Sequence, residues 1–398
     1  MKILFVAPWV PSQLRPRSLA LLQMLAADHE VRFLSLVHDE AEARLADDLP
    51  VLDRTLVPNP RQGAIGRSLH ALATGRSLQH GYASPRALTV ALEEIIADWR
   101  PDVVHLNVFR TVHLVEACGR TPVIVDLDEF RSEYYEQLAS HGPNIPWRTL
   151  GLVESRRMRA REDDLVRMGV PMMLSAPPEY GEQRPNTYLV RSPYDYPADV
   201  SPSGTAAQPA STSDARKAPV VLFVGRLSYE ANVSGLLWFV HECWDGIRQQ
   251  VPDVRLRIVG SEPPRVVRSL VGDGIELYPD APEIEPHYAA ASVAIAPIFR
   301  GTGVQMKLIQ SLAAGVPTVT TVTVADRAGV RDGVHVRVAD DRQGWVDATT
   351  SLLNREPGTE QLAAEGREWA VAHHSWAAVR RQLDVAYAAV AGDRFTRR

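Results

Sequence analysis

Residues 292–321, SVAIAPIFRGTGVQMKLIQSLAAGVPTVTT, contain a complete strand–helix–strand unit. Ser292–Pro297 is a short apolar run of the kind buried on both faces of a sheet. Thr302–Ala314 reads as a helix closed by Gly315 and Pro317. Pro317–Thr321 is a second strand. A helical crossover between two such strands makes them parallel neighbours in an α/β sheet.

The same alternation extends in both directions. Val220–Val224 ends at Gly225 and leads into a helix with Leu237, Val240, Trp244 and Ile247 on one face. Arg255–Gly260 is a strand with its own terminal glycine. Towards the N-terminus, Lys2–Ala7, Val31–Val37, Val103–Leu106 and Val123–Asp126 read as strands. Ser18–Ala27, Ala87–Trp99 and 111–118 read as helices between them. Trp147–Arg167, rich in Arg and acids at three- and four-residue steps, reads as a solvated amphipathic helix. Residues 197–219, PADVSPSGTAAQPASTSDARKAP, have no periodicity and the composition of a linker. Four regions follow: a Rossmann-like domain at 1–196, the linker at 197–219, a second Rossmann-like domain at 220–374, and a terminal helix at 375–398 packing back on the first domain. In that helix Ser375 is the N-cap, and Trp376, Val379, Leu383, Tyr387 and Val390 form one face.

Composition narrows the function. The 398 residues are 45% hydrophobic and 23% charged, which excludes a disordered or fibrous chain. A net charge of −5 argues against a basic nucleic-acid binder. Cys118 and Cys243 are too few for a disulfide framework or a cysteine zinc site, and both read as buried thiols. No apolar run reaches membrane-span length. The start, MKILFVAP, is too short and too proline-broken for a signal peptide. These features together predict a soluble, cytoplasmic protein. Of 43 basic residues only Lys2, Lys217 and Lys307 are lysine, so each retained lysine gains weight.

Two places carry chemistry. Gly301-Thr302-Gly303 opens the helix of the first-quoted unit, where free N–H groups and the helix dipole favour a phosphate. Lys307 lies one turn further on. An ordinary turn with a surface lysine is the competing reading. Gly225-Arg226 follows a strand directly, which puts Arg226 at the sheet edge where doubly wound folds bind ligands. A guanidinium there suits phosphate oxygens. Arg226 alone also reads as a surface residue.

The segments FVGRLSYEANVSGLLWF, RLRIVGSEPP, the stretch Asp280–Tyr288, APIFRGTGVQMKLIQSLAAGVPTVTT and His374-Ser375-Trp376 together resemble retaining glycosyltransferases of the GT-B fold, family 4. The subgroup with Tyr-x-x-Asn-Val after the first Gly-Arg and with Gly-Thr-Gly before the helix is the nearest. DVVHLN and IVDLDEF fit the acceptor-domain strands of that family. The resemblance implies a nucleotide-diphosphate sugar as donor substrate, with no further cofactor and no metal. It places Arg226 and Lys307 on the diphosphate. Gly225, Gly301, Thr302, Gly303 and Val304 line the approach with backbone donors. It places Gln310 at the ribose.

Two positions depart from the pattern. Ala231 stands where the family has a lysine, and Gln310 where it has a glutamate; Thr302 is normal for the subgroup. Asp126, where many relatives have a histidine near the transferred sugar, and Asp128 are the carboxylates expected to orient sugar or acceptor. Their alternative is to cap the following turn. Asp126-Leu127-Asp128 also spells a metal motif of the other glycosyltransferase fold, a reading set aside because the surrounding motifs are metal-independent. Transfer with retention needs no dedicated base, since the leaving phosphate takes the acceptor proton.

The loop Pro8–Arg17 has no glycine to admit the donor and is expected to shape acceptor binding, with Arg15 and Arg17 either on an anionic acceptor or solvated. Residues 54–92 contain arginines but no acid, and read as a mobile cationic acceptor loop; a basic surface for peripheral membrane contact is the alternative. The acceptor expected is a small metabolite such as an antibiotic precursor. An envelope polysaccharide or lipid-linked sugar is second, and a GT-B protein that binds a nucleotide sugar without transferring it is third. An epimerase on the same fold finds no matching acid–base set.

Overall fold

The computed structural model describes residues 1–13, 15–176, 184–196 and 218–392. The chain divides into two compact units. One comprises Met1–Pro193 with the terminal helix from Val379 onward, the other Tyr194–Ala378. Residues 197–217 of the expected linker lie outside the described residues. Tyr194 and Tyr196, placed by sequence in the first domain, belong to the second unit. The Tyr194 N–H donates to His374 O at 2.7 Å and the hydroxyl to Glu285 Oε1 at 3.2 Å.

The first unit holds a parallel sheet of β1 (Lys2–Ala7), β2 (Glu30–Val37), β3 (Asp53–Pro58), β4 (Val103–Asn107), β5 (Val123–Asp128), β6 (Met172–Leu174) and β7 (Thr187–Leu189), in the order β3-β2-β1-β4-β5-β6-β7. The chain builds outward from β1 on one side, then returns to build outward from β4 on the other. The β1/β4 border is thus the switch point, beyond whose carboxyl ends doubly wound sheets bind ligands. Ile3–Ala7 have no exposed surface, which is why β1 is a continuous apolar run rather than an alternating one.

The helix Trp376–Ala391 belongs to this unit's core through Val379, Leu383, Ala386 and Tyr387, and Ser375 Oγ caps it by accepting the Ala378 N–H at 3.2 Å. Tyr387 OH lies 2.8 Å from His105 Nδ1, and the His105 ring stacks on Phe5 at 4.3 Å. Arg380 joins the same helix to the helix Pro16–Asp28, through Met24 O at 2.8 Å and Asp28 at 2.5 Å.

Three expectations change here. Residues 54–92 are not a mobile loop. They form β3 and the helices Arg61–Ala73, Leu78–Tyr82 and the start of Arg86–Trp99. The first two cross so closely at Gly81 that a Cβ there would lie 2.5 Å from Arg67 O. The helix Ile145–Arg167 is not merely solvated: Gly151, Glu154, Ser155, Met158, Glu162 and Leu165 form a buried stripe. Two of its acids serve neighbouring helix starts, with Glu154 accepting the Leu78 N–H at 2.8 Å and Glu162 accepting the Ser132 N–H and hydroxyl at 3.0 and 2.6 Å. Residues 111–118 form two short 3₁₀ turns, Phe109–Leu114 and Glu116–Cys118, instead of one α-helix.

The second unit repeats the plan with β8 (Val220–Val224), β9 (Arg255–Gly260), β10 (Ile275–Pro279), β11 (Val293–Ala296), β12 (Thr318–Thr320) and β13 (Arg337–Val338), in the order β10-β9-β8-β11-β12-β13. Its switch point is the β8/β11 border. The helix after β8 runs Glu230–Phe239, passes through a π-helical turn at Val240–Trp244 and ends at Gln250. Its buried face is Leu236, Phe239, Cys243 and Ile247, one residue around from part of the expected set, with Trp244 also buried. Both cysteines are buried and free, as expected, and burial pushes each thiol up to about 12. Among the described residues no helix is long and apolar enough to cross a membrane.

Candidate functional site

β8 delivers Gly225 to the switch point of the second unit. Gly260, at the end of the neighbouring strand, crosses so near that a Cβ on it would sit 1.8 Å from Gly225 O. Gly225 is itself pressed from the other side, since a Cβ there would meet Asn232 Nδ2 at 3.0 Å and Lys307 Cε at 3.2 Å. The two strand-terminal glycines therefore let backbone, Asn232 and the Lys307 stem converge.

Lys307 is buried, 9% exposed. Its ammonium donates to Asn232 Oδ1 at 2.7 Å and Gln305 Oε1 at 3.3 Å, and lies 5.6 Å from the centre of the Phe223 ring. Among the described residues no carboxylate pairs with it. Burial lowers its pKa to about 7. Asn232 uses its amide nitrogen to hold Arg226 O at 2.7 Å, so one side chain fixes both the glycine turn and the lysine. Asn232 was missed as a site residue, although it stands in the quoted Tyr-x-x-Asn-Val motif. A buried amide inside an otherwise apolar helix was the signal.

The helix bearing Lys307 starts at Met306, four residues later than expected, and Gln305 is its N-cap without a side-chain cap bond. Gly301-Thr302-Gly303 and Val304 thus form a bend before the helix rather than its first turn. Thr302 is buried, and the Gln305 amide donates to Gly303 O at 3.5 Å. Arg226 is placed differently from Lys307. It is largely exposed and its guanidinium is held by Glu262, at 2.9 and 3.0 Å, and by Ser228 at 2.9 Å. Ser228 and Arg226 hold the Glu262 carboxyl below its usual range. Gln310 accepts from Tyr288 OH at 3.3 Å, and the same hydroxyl reaches Lys307 O at 3.3 Å. Ala231 is buried in the apolar cluster around Leu308 and Ile309. The structure therefore brings Gly225, Asn232, Gln305 and Lys307 together, with Arg226 tied to Glu262 and Gln310 to Tyr288.

In the first unit Asp126 lies against protein donors. It is fully buried and takes two bonds from Arg17, at 2.6 and 3.1 Å, and one from Asn107 at 3.2 Å. Arg17 also donates to Val190 O at 2.7 Å. Both Asp126 oxygens thus accept from protein donors, and the pair ties the helix Pro16–Asp28 to β5. Asp128 is half-exposed and left-handed (φ 66°), with an oxygen 3.4 Å from Arg17. Arg17, considered for an anionic acceptor, is consumed in the same cluster.

Two doubly wound parallel units, each with its switch point at the carboxyl ends of its strands, have the GT-B glycosyltransferase fold. The solved structure of Anabaena HepE in complex with UDP superposes with a TM-score of 0.67 at 14% identity, covering 98% of this chain and all of that one. Sucrose-phosphate synthase from Thermosynechococcus elongatus gives 0.66 at 16% identity, over 97% and 98% of the two chains. Residues 218–355 match the family described as Glycosyl transferases group 1. That segment contains Gly225, Asn232 and Lys307. A phosphatidyl-myo-inositol mannosyltransferase of Mycobacterium leprae is 28% identical over 204 residues, half of this chain. The match spans about half, 54%, of that relative's length.

Proposed function

We propose that this protein is a glycosyltransferase that moves a sugar from a nucleotide-diphosphate donor to an acceptor hydroxyl, with retention and without a metal. The donor diphosphate occupies the switch point of the second unit. The observation that carries the reading is Lys307: a buried ammonium with amide oxygens for partners and no carboxylate among the described residues, beside a strand-terminal glycine. Such a group is incompletely neutralised, and a diphosphate supplies the missing negative charge. The uncapped helix start at Met306 offers further N–H donors to the same anion. HepE, with the same fold, is known in complex with UDP.

The chemistry asked of these residues is electrostatic. As the bond from sugar to diphosphate breaks, negative charge grows on the leaving phosphate. Lys307 and the backbone donors near Gly303 stabilise it there. The leaving phosphate accepts the proton of the acceptor hydroxyl, so no side-chain base is required. Arg226 joins by exchanging Glu262 for a phosphate oxygen. The acceptor is a small molecule held by the first unit.

The test is a thermal-shift panel of UDP, GDP, TDP and ADP, followed by their sugars. At least one diphosphate is expected to raise Tm, and Lys307→Met is expected to abolish the rise. Indifference to all four diphosphates overturns the reading. Stabilisation by a diphosphate with no turnover of any sugar would instead leave a protein that binds the donor without transferring it. The Gln310–Tyr288 bond and Ala231 favour that outcome as the second reading.

A further inference from the structure

At the switch point of the first unit two arginines are paired with no acid among the described residues. Arg15 lies on the loop after β1, and Arg110 on the 3₁₀ turn after β4. They flank the β1/β4 border. The Arg15 guanidinium carbon is 4.1 Å from the centre of the Trp9 ring, and that of Arg110 is 5.2 Å from the same ring and 4.7 Å from that of Tyr82. Cation–π contact holds both in place but neutralises neither. Gln79 Oε1 accepts from Arg110 Nε, and Gln79 is in turn fixed by donating to Tyr135 OH at 3.2 Å. The Arg15 side chain makes no hydrogen bond among the described residues.

Their neighbours are treated otherwise. Arg17 is paired with Asp126 and Arg131 with Glu129. Glu42, the acid that Arg15 senses, is bonded to the His38 N–H at 2.9 Å. Burial lowers the pKa of both unpaired guanidiniums, and Arg131 and Arg15 lower that of Arg110 further. Two part-buried like charges on one indole ring raise the free energy of the empty site, and an anion between them would lower it.

We propose that Arg15 and Arg110, stacked on Trp9, bind an anionic group of the acceptor, a phosphate or carboxylate, so that this protein selects negatively charged acceptors. The inference rests on the transferase reading for the word acceptor, but not for the anion site. Trp9 sets the spacing of the two forks. Tyr82 holds Arg110 from the side, itself fixed by its hydroxyl at 3.2 Å from His38 Nε2. The group bound is a phosphate ester or carboxylate whose oxygens accept from both guanidiniums. That chemistry occurs both on small phosphorylated or acidic sugars and on lipid headgroups.

Equilibrium binding in the absence of donor is the test, read by tryptophan fluorescence and calorimetry on the full chain. The probes are inorganic phosphate, glucose 6-phosphate, glucuronate and glucose, with cosedimentation on phosphatidylinositol vesicles against phosphatidylcholine vesicles. The charged probes or the anionic vesicles are expected to bind, and glucose is not. Arg110→Gln and Arg15→Gln should each weaken that binding by about tenfold or more. Loss of soluble-probe binding assigns a free acceptor, and loss of vesicle binding a lipid one. Arg15→Lys keeps the charge without the planar fork and should recover only part of the affinity. Equal binding of glucose and glucose 6-phosphate, or anion binding that survives both substitutions, overturns the proposal. Lys307→Met is the control: it should abolish the diphosphate response and leave anion binding unchanged. A failed donor site and a failed anion site are thereby told apart.

Discussion

Arg17 in the first unit and Lys307 in the second are almost equally buried, 8% and 9% exposed, at the switch points of two sheets whose first six strands follow the same order. Arg17 meets a carboxylate with two bonds, a carbonyl with a third, and a second carboxylate 3.4 Å away. Lys307 meets two amide oxygens and an aromatic ring. The same depth of burial therefore has opposite consequences. A cation with its counter-charge built in is part of the scaffold; one without it keeps a charge that an anion from outside would neutralise. The comparison also separates Arg15 and Arg110 from Arg17, although all three follow the strands of the β1/β4 border.

The strongest way to break this comparison is Asp126→Ala. It leaves Arg17 buried opposite Asp128 alone, and should cost about 3 kcal/mol of stability, the low end for stranding a buried charge because Asp128 remains. Urea unfolding would show it. A variant that unfolds at the unchanged urea concentration yet loses turnover would return Asp126 to the reaction. Lys307→Met comes next. Removing an unpaired buried ammonium should leave stability within about 1 kcal/mol, while diphosphate affinity falls by about tenfold to a hundredfold. The wild-type affinity should also decline as pH rises through about 7, because the free amine loses its proton there whereas a bound diphosphate keeps it charged. Stability has the opposite sign: the unfolded lysine binds its proton up to its ordinary 10.5, so the fold gains stability between about 7 and 10.5. Affinity flat across pH 7 would mean that diphosphate binding is not linked to a proton on Lys307 in that range.

Much of this was legible in the sequence. Strands such as β1 and β8 are buried on both faces and read as near-continuous apolar runs. The strand-terminal glycines 225 and 260 marked where backbones crowd. Lys307 stood out because the chain keeps only three lysines. What escaped was long-range polar pairing. Asp126 and Arg17 are 109 residues apart, and nothing local distinguishes a carboxylate that faces a ligand from one that faces a buried guanidinium. Glu154 and Glu162 looked solvated for the same reason: their partners, Leu78 N and Ser132, lie on other helices. The helix Arg61–Ala73 was hidden by two internal glycines and a weak apolar face, with only Ala64 and Ala71 buried. Its order comes from close packing at Gly81, not from propensity.

The smallest effect concerns the terminal helix, which the first unit holds through Tyr387 and His105. Tyr387→Phe should cost about 1 kcal/mol, the loss of one buried hydrogen bond at unchanged ring packing. His105 gives this contact a pH signature. Burial, and then Arg17, lower its pKa from 6.5 to about 3, so the fold keeps the ring neutral where the unfolded chain protonates it. The unfolded state binds more protons between about 6.5 and 3, and stability must therefore fall as the pH is lowered through that window. Two other buried groups titrate nearby. His113, lowered to about 3 chiefly by burial, acts in the same direction; Glu162, raised to about 7 by burial, stabilises the fold as pH falls from 7 towards 4.5. Comparing His105→Phe with the wild type cancels both. The variant should be less stable at pH 7, because Tyr387 loses its partner, yet its Tm should decline less steeply between pH 6.5 and 3. Parallel Tm–pH curves for the two proteins would show that His105 is protonated in the fold, and that the terminal helix is held without the neutral imidazole.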